Sequence, residues 1–275
     1  MPFTIEGKLQ PGVYELEGDV SSQYVTGLIL ALILLPGDSE IRMLSRLESK
    51  PYVDLTIACL RQFGAEVQET ASGYRIPGGQ KLHACDQTVE GDYSQAAFFS
   101  VANVLGSTIE LTNLNPKSVQ GDKKIVEITE QMCYNLKEGL PACFSVDASD
   151  IPDLVPILAV LATFGTAPSR ITGAHRLAIK ESDRLSSTAA MLNALGGDVT
   201  ATEDGLEIRP VSELHGGTVD SCGDHRIAMC AAVAATRCTG AVTILHGECV
   251  EKSYPQFYED YRQLGGNAHV IVLES

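Results

Sequence analysis

Asp150-Ile-Pro-Asp-Leu-Val-Pro-Ile-Leu-Ala-Val-Leu-Ala-Thr-Phe164 is the stretch whose reading decides the fold. From Leu154 to Phe164 it has the length of a helix and carries no charge. A helix that is apolar on every side has no face to give to water, so it must be buried all round. Other layers must therefore wrap it, and only its polar N-terminus, Asp150 to Asp153, is free to do chemistry. Working outward, Ser169-Arg-Ile-Thr172 reads as a strand. His175-Arg-Leu-Ala-Ile-Lys-Glu-Ser-Asp-Arg184 then leads into a second helix with apolar positions Leu185, Ala189, Leu192 and Leu195. Gly196-Gly197 stops that helix, and Asp198 to Ile208 reads as a β-hairpin tail.

The layout recurs four times, at intervals of roughly 60–75 residues. The polar openers are Ser21-Ser-Gln23, Asp92-Tyr-Ser-Gln95, Asp150-Ile-Pro-Asp153 and Asp224-His-Arg226. Apolar helices follow at Tyr24–Leu35, Ala96–Leu105, Leu154–Phe164 and Ile227–Thr236. Strands then follow at Ser39–Met43, Ser107–Leu111, Ser169–Thr172 and Ala241–Leu245. Second helices start near Pro51, Gly121, Lys180 and Tyr254. The tails are Glu66–Ile76, Leu140–Val146, Asp198–Ile208 and His269–Leu273. Each unit reads strand-helix-strand-helix-strand-strand. The expected class is α+β, with repeated βαβαββ units in a pseudo-threefold arrangement around buried helices.

The openers are where function is expected. The first backbone N–H groups of a helix lack intrahelical partners, and the helix dipole favours an anion there. Taken singly, each opener is an ordinary N-cap; several aimed at one cleft make an anion site. Lys180 and Arg184 stand four apart, which on a helix projects both cations from one face, with Glu181 about 100° away. Two cations and a carboxylate suit an anionic substrate that needs a proton moved. No G-x-x-x-x-G-K-[ST] phosphate loop is present.

Composition limits the alternatives. With 44% hydrophobic and 20% charged residues among 275, a large core is available and disorder is excluded. A net charge of −15 argues against nucleic acid, so any anion site must be a local basic pocket. The eight cysteines form no C-x-x-C pair, and they read as reduced core thiols of a cytoplasmic protein. No leader is visible, and the longest apolar run, Leu28–Pro36, is too short to span a bilayer.

The polar stretch Gln80–Gly91 separates the first unit from the other three. The expected domains are residues 1–90, the last unit of a domain otherwise missing, and 91–275, a closed set of three. On this reading four of six units are present, and about two repeat lengths, roughly 130–150 residues, precede the chain.

Six motifs, in order, carry a family resemblance: Gly18-Asp-Val-Ser-Ser-Gln23, Ser49-Lys-Pro-Tyr52, Gln120-Gly-Asp122, Lys180-Glu-Ser-Asp-Arg184, Gly223-Asp-His-Arg-Ile-Ala-Met229 and Lys252-Ser-Tyr-Pro255. Together they resemble the C-terminal two thirds of the 5-enolpyruvylshikimate-3-phosphate synthases. The resemblance implies the enolpyruvyl transferase fold, two pseudo-threefold domains with helix N-termini facing a cleft. It implies transfer of the enolpyruvyl group of phosphoenolpyruvate to the 5-hydroxyl of shikimate 3-phosphate, with no metal and no cofactor.

The same resemblance implies roles for residues. Ser21, Ser22, Gln23, Ser49, Tyr52, Asp153, Arg176 and Lys180 would bind shikimate 3-phosphate. Gln23, Arg184, His225, Arg226 and Lys252 would bind phosphoenolpyruvate. Asp153 would be the base at the 5-hydroxyl, Glu181 the proton shuttle, and Lys180 would touch the shikimate side. The family's Lys-Ser…Arg phosphate clamp, Gly-rich loop and first-domain arginine are not in this chain, and Arg176 stands where several members have a neutral amide. The expectation is therefore little turnover by this chain alone, with a complementary N-terminal fragment as partner. Two other readings stand beside it. One is UDP-N-acetylglucosamine 1-carboxyvinyltransferase, which shares the repeat and takes another acceptor. The other is a truncated, non-catalytic product.

Overall fold

The computed structural model describes residues 3–271, and the chain divides into two compact units. One holds the residues up to Val89 together with Val119–Gly121. The other holds Glu90–Ser118 and the chain from Asp122 onward.

The first unit runs β1 (Val13–Leu16), α1 (Ser22–Leu32), β2 (Ser39–Met43), α2 (Lys50–Gln62), β3 (Gln68–Thr70) and β4 (Gly73–Ile76). Its sheet has the order β1-β2-β4-β3, with β1 parallel to β2 and the other pairs antiparallel. Ile41 sits mid-sheet, opposite Tyr14 on one side and Tyr74 on the other. Val25, Ile29 and Leu32 of α1 pack with Ile57 and Leu60 of α2 over that sheet.

The second unit begins with α3 (Tyr93–Val104) and α4 (Lys124–Glu138). It continues with β5 (Ser145–Asp147), α5 (Val155–Thr163), β6 (Ser169–Thr172), α6 (Arg184–Ala194), β7 (Asp198–Ala201) and β8 (Leu206–Arg209). It ends with β9 (Gly217–Asp220), α7 (His225–Ala235), β10 (Val242–Leu245) and α8 (Phe257–Gln263). Here α3, α5 and α7 pack against one another. All nine residues of α5 are buried, as its uncharged sequence requires.

The sheet β5-β6-β8-β7 repeats the first unit's order and directions. Ile171 takes the place of Ile41, paired with Val146 and Leu206. The repetition reaches single atoms. A Cβ on Gly73 would meet the Ile41 carbonyl oxygen at 2.1 Å, and one on Gly205 would meet that of Ile171 at 1.9 Å. Each hairpin thus lies against its central strand through a glycine that no other residue could replace. Two histidines repeat as well. The backbone N–H of His83 donates to Phe63 O (2.8 Å) and that of His215 to Leu195 O (2.7 Å). Each imidazole lies against the glycine that ends the preceding helix, Gly64 and Gly196.

Four expectations need correction. Ser107–Leu111 forms no strand; the Asn103 side chain instead holds both backbone groups of Ile109, at 2.7 and 2.8 Å, which satisfies them locally. The tail expected at Leu140–Val146 is in part β5, whose parallel pairing with β6 makes it the opening strand of the next unit. Residues 269–271 form no strand, and the rest of that expected tail, Val272 and Leu273, lies outside the described residues. All eight cysteines are free thiols, yet only Cys230 is buried; Cys59, Cys85, Cys133 and Cys222 are exposed on helix and loop surfaces. No helix among the described residues is long and apolar enough to cross a membrane.

Candidate active site

The site grows from the N-terminus of α7. Asp224 caps that helix, its carboxylate accepting from the Arg226 backbone N–H at 2.9 Å. The cap is completely buried. A buried carboxylate needs a cation, and Arg184, the first residue of α6, provides one: its Nε donates to Asp224 Oδ2 at 2.9 Å. The Arg184 side chain is itself only 1% exposed and spends its whole donor fork on acids. Nη1 donates to Asp153 Oδ1 at 3.0 Å, and Nη2 to Glu181 Oε2 at 2.6 Å.

Each of those acids carries a second cation. Arg226 Nη2 donates to Asp153 Oδ2 at 2.8 Å and to Ser94 Oγ of α3 at 3.2 Å. Lys252 Nζ donates to Glu181 Oε1. Segments next to α3, α5, α6 and α7 thus meet in one ionic cluster: Arg184, Arg226 and Lys252 interleaved with Asp153, Glu181 and Asp224. Asp153 and Glu181 keep about a quarter of their side chains exposed (26% and 25%), whereas Asp224 keeps none.

The field follows from these contacts. Burial alone would raise the Asp153 pKa, but Arg226, Arg184 and Lys180 outweigh it and hold the acid below its ordinary value. Burial pushes Glu181 up as well, and the Lys252 hydrogen bond and the Arg184 charge pull it down to about 2. Both acids are therefore ionised at neutral pH. Burial lowers the Lys180 pKa against the pull of Asp153. His225 is lowered by burial and by the adjacent Arg226 charge. Among the described residues its Nδ1 is buried without a hydrogen-bond partner; the nearest acid oxygen, of Asp224, is 3.9 Å away.

Of the residues expected to act, the structure brings Asp153, Glu181, Arg184, Arg226 and Lys252 into direct contact, with His225 beside them. Lys180 belongs to their field but makes no hydrogen bond or ion pair among the described residues. Arg176 is buried and donates to the Ser149 carbonyl at 3.0 Å. The expectation that Lys180 and Arg184 share a helix face is wrong. Lys180 is extended (φ −82°, ψ −154°), and α6 starts only at Arg184, because Asp183 caps it by accepting from Ser186 N. In the first unit, Ser21 caps α1 by accepting from Gln23 N, Ser22 is buried and Gln23 is exposed. Ser49 is buried at the start of α2 with φ +54°, and the Tyr52 N–H donates to its carbonyl.

Three participants carry no role assigned from the motifs: Asp224 and Ser94, which stand in the openers, and Ser182, whose Oγ donates to Asp224 Oδ2 at 3.2 Å. Asp224 was visible as an opener, but nothing local shows that Arg184, forty residues earlier, returns to it. Among the described residues no group of three or more His, Cys, Asp or Glu side chains could hold a metal. Four cations, Lys180 included, face three carboxylates, a positive site on a chain of net charge −15.

The EPSP synthase family model (3-phosphoshikimate 1-carboxyvinyltransferase) matches residues 1–261. A 3-phosphoshikimate 1-carboxyvinyltransferase of Clostridium novyi is 45% identical over 97% of this chain, and one of Clostridium acetobutylicum is 45% identical over 98%. The chain spans 63% and 65% of the length of these two relatives. Among solved structures, an EPSP synthase from Acinetobacter baumannii superposes with a TM-score of 0.77 at 27% identity, over 94% of this chain and 63% of its own. The enolpyruvyl transferase NikO from Streptomyces tendae shares the fold, with a TM-score of 0.66 at 20% identity, over 95% of this chain and 65% of its own.

Proposed function

The chain belongs to the EPSP synthase family, and we propose that it serves the transfer of an enolpyruvyl group from phosphoenolpyruvate to the 5-hydroxyl of shikimate 3-phosphate in the cytoplasm. The observation that carries this reading is the sharing of Asp153 and Glu181 among Arg184, Arg226 and Lys252. Three cations that lean on two partly exposed acids are cations a substrate anion can claim. An arginine fork binds carboxylate or phosphate in two-pronged fashion. Arg184 and Arg226 are assigned to the carboxylate and phosphate of phosphoenolpyruvate, with His225 and Gln23 as further contacts, and Lys252 to the departing phosphate. Shikimate 3-phosphate is assigned to Ser21, Ser22, Gln23, Ser49, Tyr52, Arg176 and Lys180, with Asp153 at its 5-hydroxyl.

The chemistry this asks for is addition and then elimination. The 5-hydroxyl loses its proton to Asp153 and bonds to C2 of phosphoenolpyruvate, while C3 takes a proton from Glu181 and becomes a methyl group. The tetrahedral intermediate then returns a methyl proton to Glu181 as its C2–O bond to phosphate breaks, and phosphate departs with the proton held by Asp153. The cluster gives both acids a reason to change strength. With Arg226 and Arg184 beside it, Asp153 is too acidic to be an effective base. With Lys252 beside it, Glu181 at about 2 holds no proton to give. Anions that draw the cations away let both pKa values rise toward the working range, so binding switches on the acid–base pair.

The finer architecture we infer is six repeat units in two pseudo-threefold domains, four of them in this chain; among the described residues the units opening at Ser21 and Asp150 carry the full βαβαββ set. The sheet order shared by the two four-stranded sheets and the mutual packing of α3, α5 and α7 support it. A complementary fragment is the partner this implies. The test is phosphate release from phosphoenolpyruvate plus shikimate 3-phosphate. The assay uses the chain alone and the chain co-expressed with the part of the Clostridium novyi relative that it does not span. The reading predicts background release by the chain alone. It predicts release by the pair that depends on both substrates and is lost in Arg226→Ala. Release that ignores shikimate 3-phosphate, or survives Arg226→Ala, contradicts it.

A further inference from the structure

The three carboxylates of the cluster are not alike. Asp153 and Glu181 are partly open to solvent and each bridges two cations. Asp224 is closed off completely, and its bonds run to the protein frame as much as to charge. Oδ2 accepts from Arg184 Nε (2.9 Å) and Ser182 Oγ (3.2 Å). Oδ1 accepts from the Arg226 backbone (2.9 Å) and from Arg184 Nη2 (3.5 Å). One side chain therefore joins the first residue of α6 to the first turn of α7, which carries Arg226.

We propose that Asp224 is a positioning residue: a permanent counter-ion that locks the Arg184 guanidinium through Nε, so that anions exchange only with Asp153 and Glu181 at its Nη edge. This rests on the reading of the cluster as an anion site. An arginine held by two acids at its fork alone would swing out with them when they let go. Held at Nε by a buried cap, it keeps its fork aimed and presents it afresh. Asp92 provides the comparison. It caps α3 in the same way, accepting from Ser94 N (2.7 Å) and Gln95 N (3.4 Å), but forms no ion pair among the described residues. A capping role alone would make the two acids equivalent.

The experiment is NMR of the full chain with isotope-labelled arginine, reading hydrogen exchange at each Nε–H. Arg184 is assigned by loss of its signal in Arg184→Lys. In the wild type, Arg184 Nε–H is expected to exchange about tenfold or more slowly than those of the exposed Arg42 and Arg75. Asp224→Asn, which keeps a good cap, is expected to remove most of that protection, and Asp92→Asn none of it. Phosphoenolpyruvate is expected to shift the Arg226 signal and to leave Arg184 Nε–H protected. Arg184 exchanging as fast as Arg42 in the wild type overturns the proposal, and that measurement needs no variant to fold. Protection that survives Asp224→Asn, or is lost equally in Asp92→Asn, also overturns it. Absence of any response to phosphoenolpyruvate counts against the anion-site reading, while the exchange contrast still decides the role of Asp224.

Discussion

Helices α1 and α5 hold the same place in sheets of the same order, and water treats them differently. Every residue of α5 is buried, whereas α1 hides Ser22, Val25, Ile29 and Leu32 and leaves Tyr24 61% and Leu30 46% exposed, with Leu34 beyond its end 71% exposed. Both sequences are apolar. The difference is in neighbours: α5 has α3, α7 and α6 around it, while α1 within its unit has α2 and the sheet. The charged groups follow the same division. The ion pairs of the first unit, such as Lys50 with Asp54 at 2.7 Å, stand in water, and those around Arg184 do not. Apolar sequence sets the demand for burial, and the number of neighbours decides how far it is met.

The largest effect that would sharpen this contrast comes from the charges. Arg184→Ala leaves Asp224 buried without its cation and is expected to cost about 3–5 kcal/mol of the second unit's stability. Lys50→Ala is expected to stay within about 1 kcal/mol. Urea unfolding followed by circular dichroism measures both, and equal costs would break the comparison. Next in size is the apolar pair. Leu158→Ala in α5, at a fully buried position, is expected to cost about 3 kcal/mol, and Leu30→Ala in α1 within about 0.5 kcal/mol.

Acid supplies the third test. The folded pKa of Glu181, about 2, lies below its ordinary value of 4.5, so protons favour the unfolded chain. Its contribution is complete above about pH 4.5 and is lost as the pH falls toward 2. The fall in melting temperature across that window is expected to be shallower in Glu181→Gln. An unchanged slope would mean that Lys252 and Arg184 do not hold the acid as described. The smallest effect on stability belongs to the open face. Changing Tyr24, Leu30 and Leu34 together to Ser should leave the melting temperature nearly unchanged and lower the fluorescence of a bound hydrophobic dye. A clear loss of stability would mean that those side chains are packed after all.

Much of this was legible in the residues. The period of the repeat, the uncharged Leu154–Phe164 and the glycine stops lead to the helix order, because periodicity and glycine conformation are local properties. The equivalence of Gly73 with Gly205 was not legible, since it depends on which strand each hairpin crosses. Ser107–Leu111 has a strand's composition, but a single side chain, Asn103, satisfies its backbone instead. The cations of the site could be chosen from motifs. Their partners could not: Arg184 meets Asp224 and Asp153 only after the chain has folded across 40 and 31 residues. A helix starting at Lys180 fails for a related reason: a carboxylate that caps has to stand before the helix, and Asp183 does so.

Calorimetric titration of the chain with phosphoenolpyruvate, beside Arg226→Ala, tests the central claim most directly. The account predicts one-to-one binding that weakens as salt is raised and disappears in the variant, since the Asp153 bridge and the substrate compete for the same guanidinium. Binding that is unchanged in Arg226→Ala, or no heat in the wild type at millimolar ligand, would contradict it.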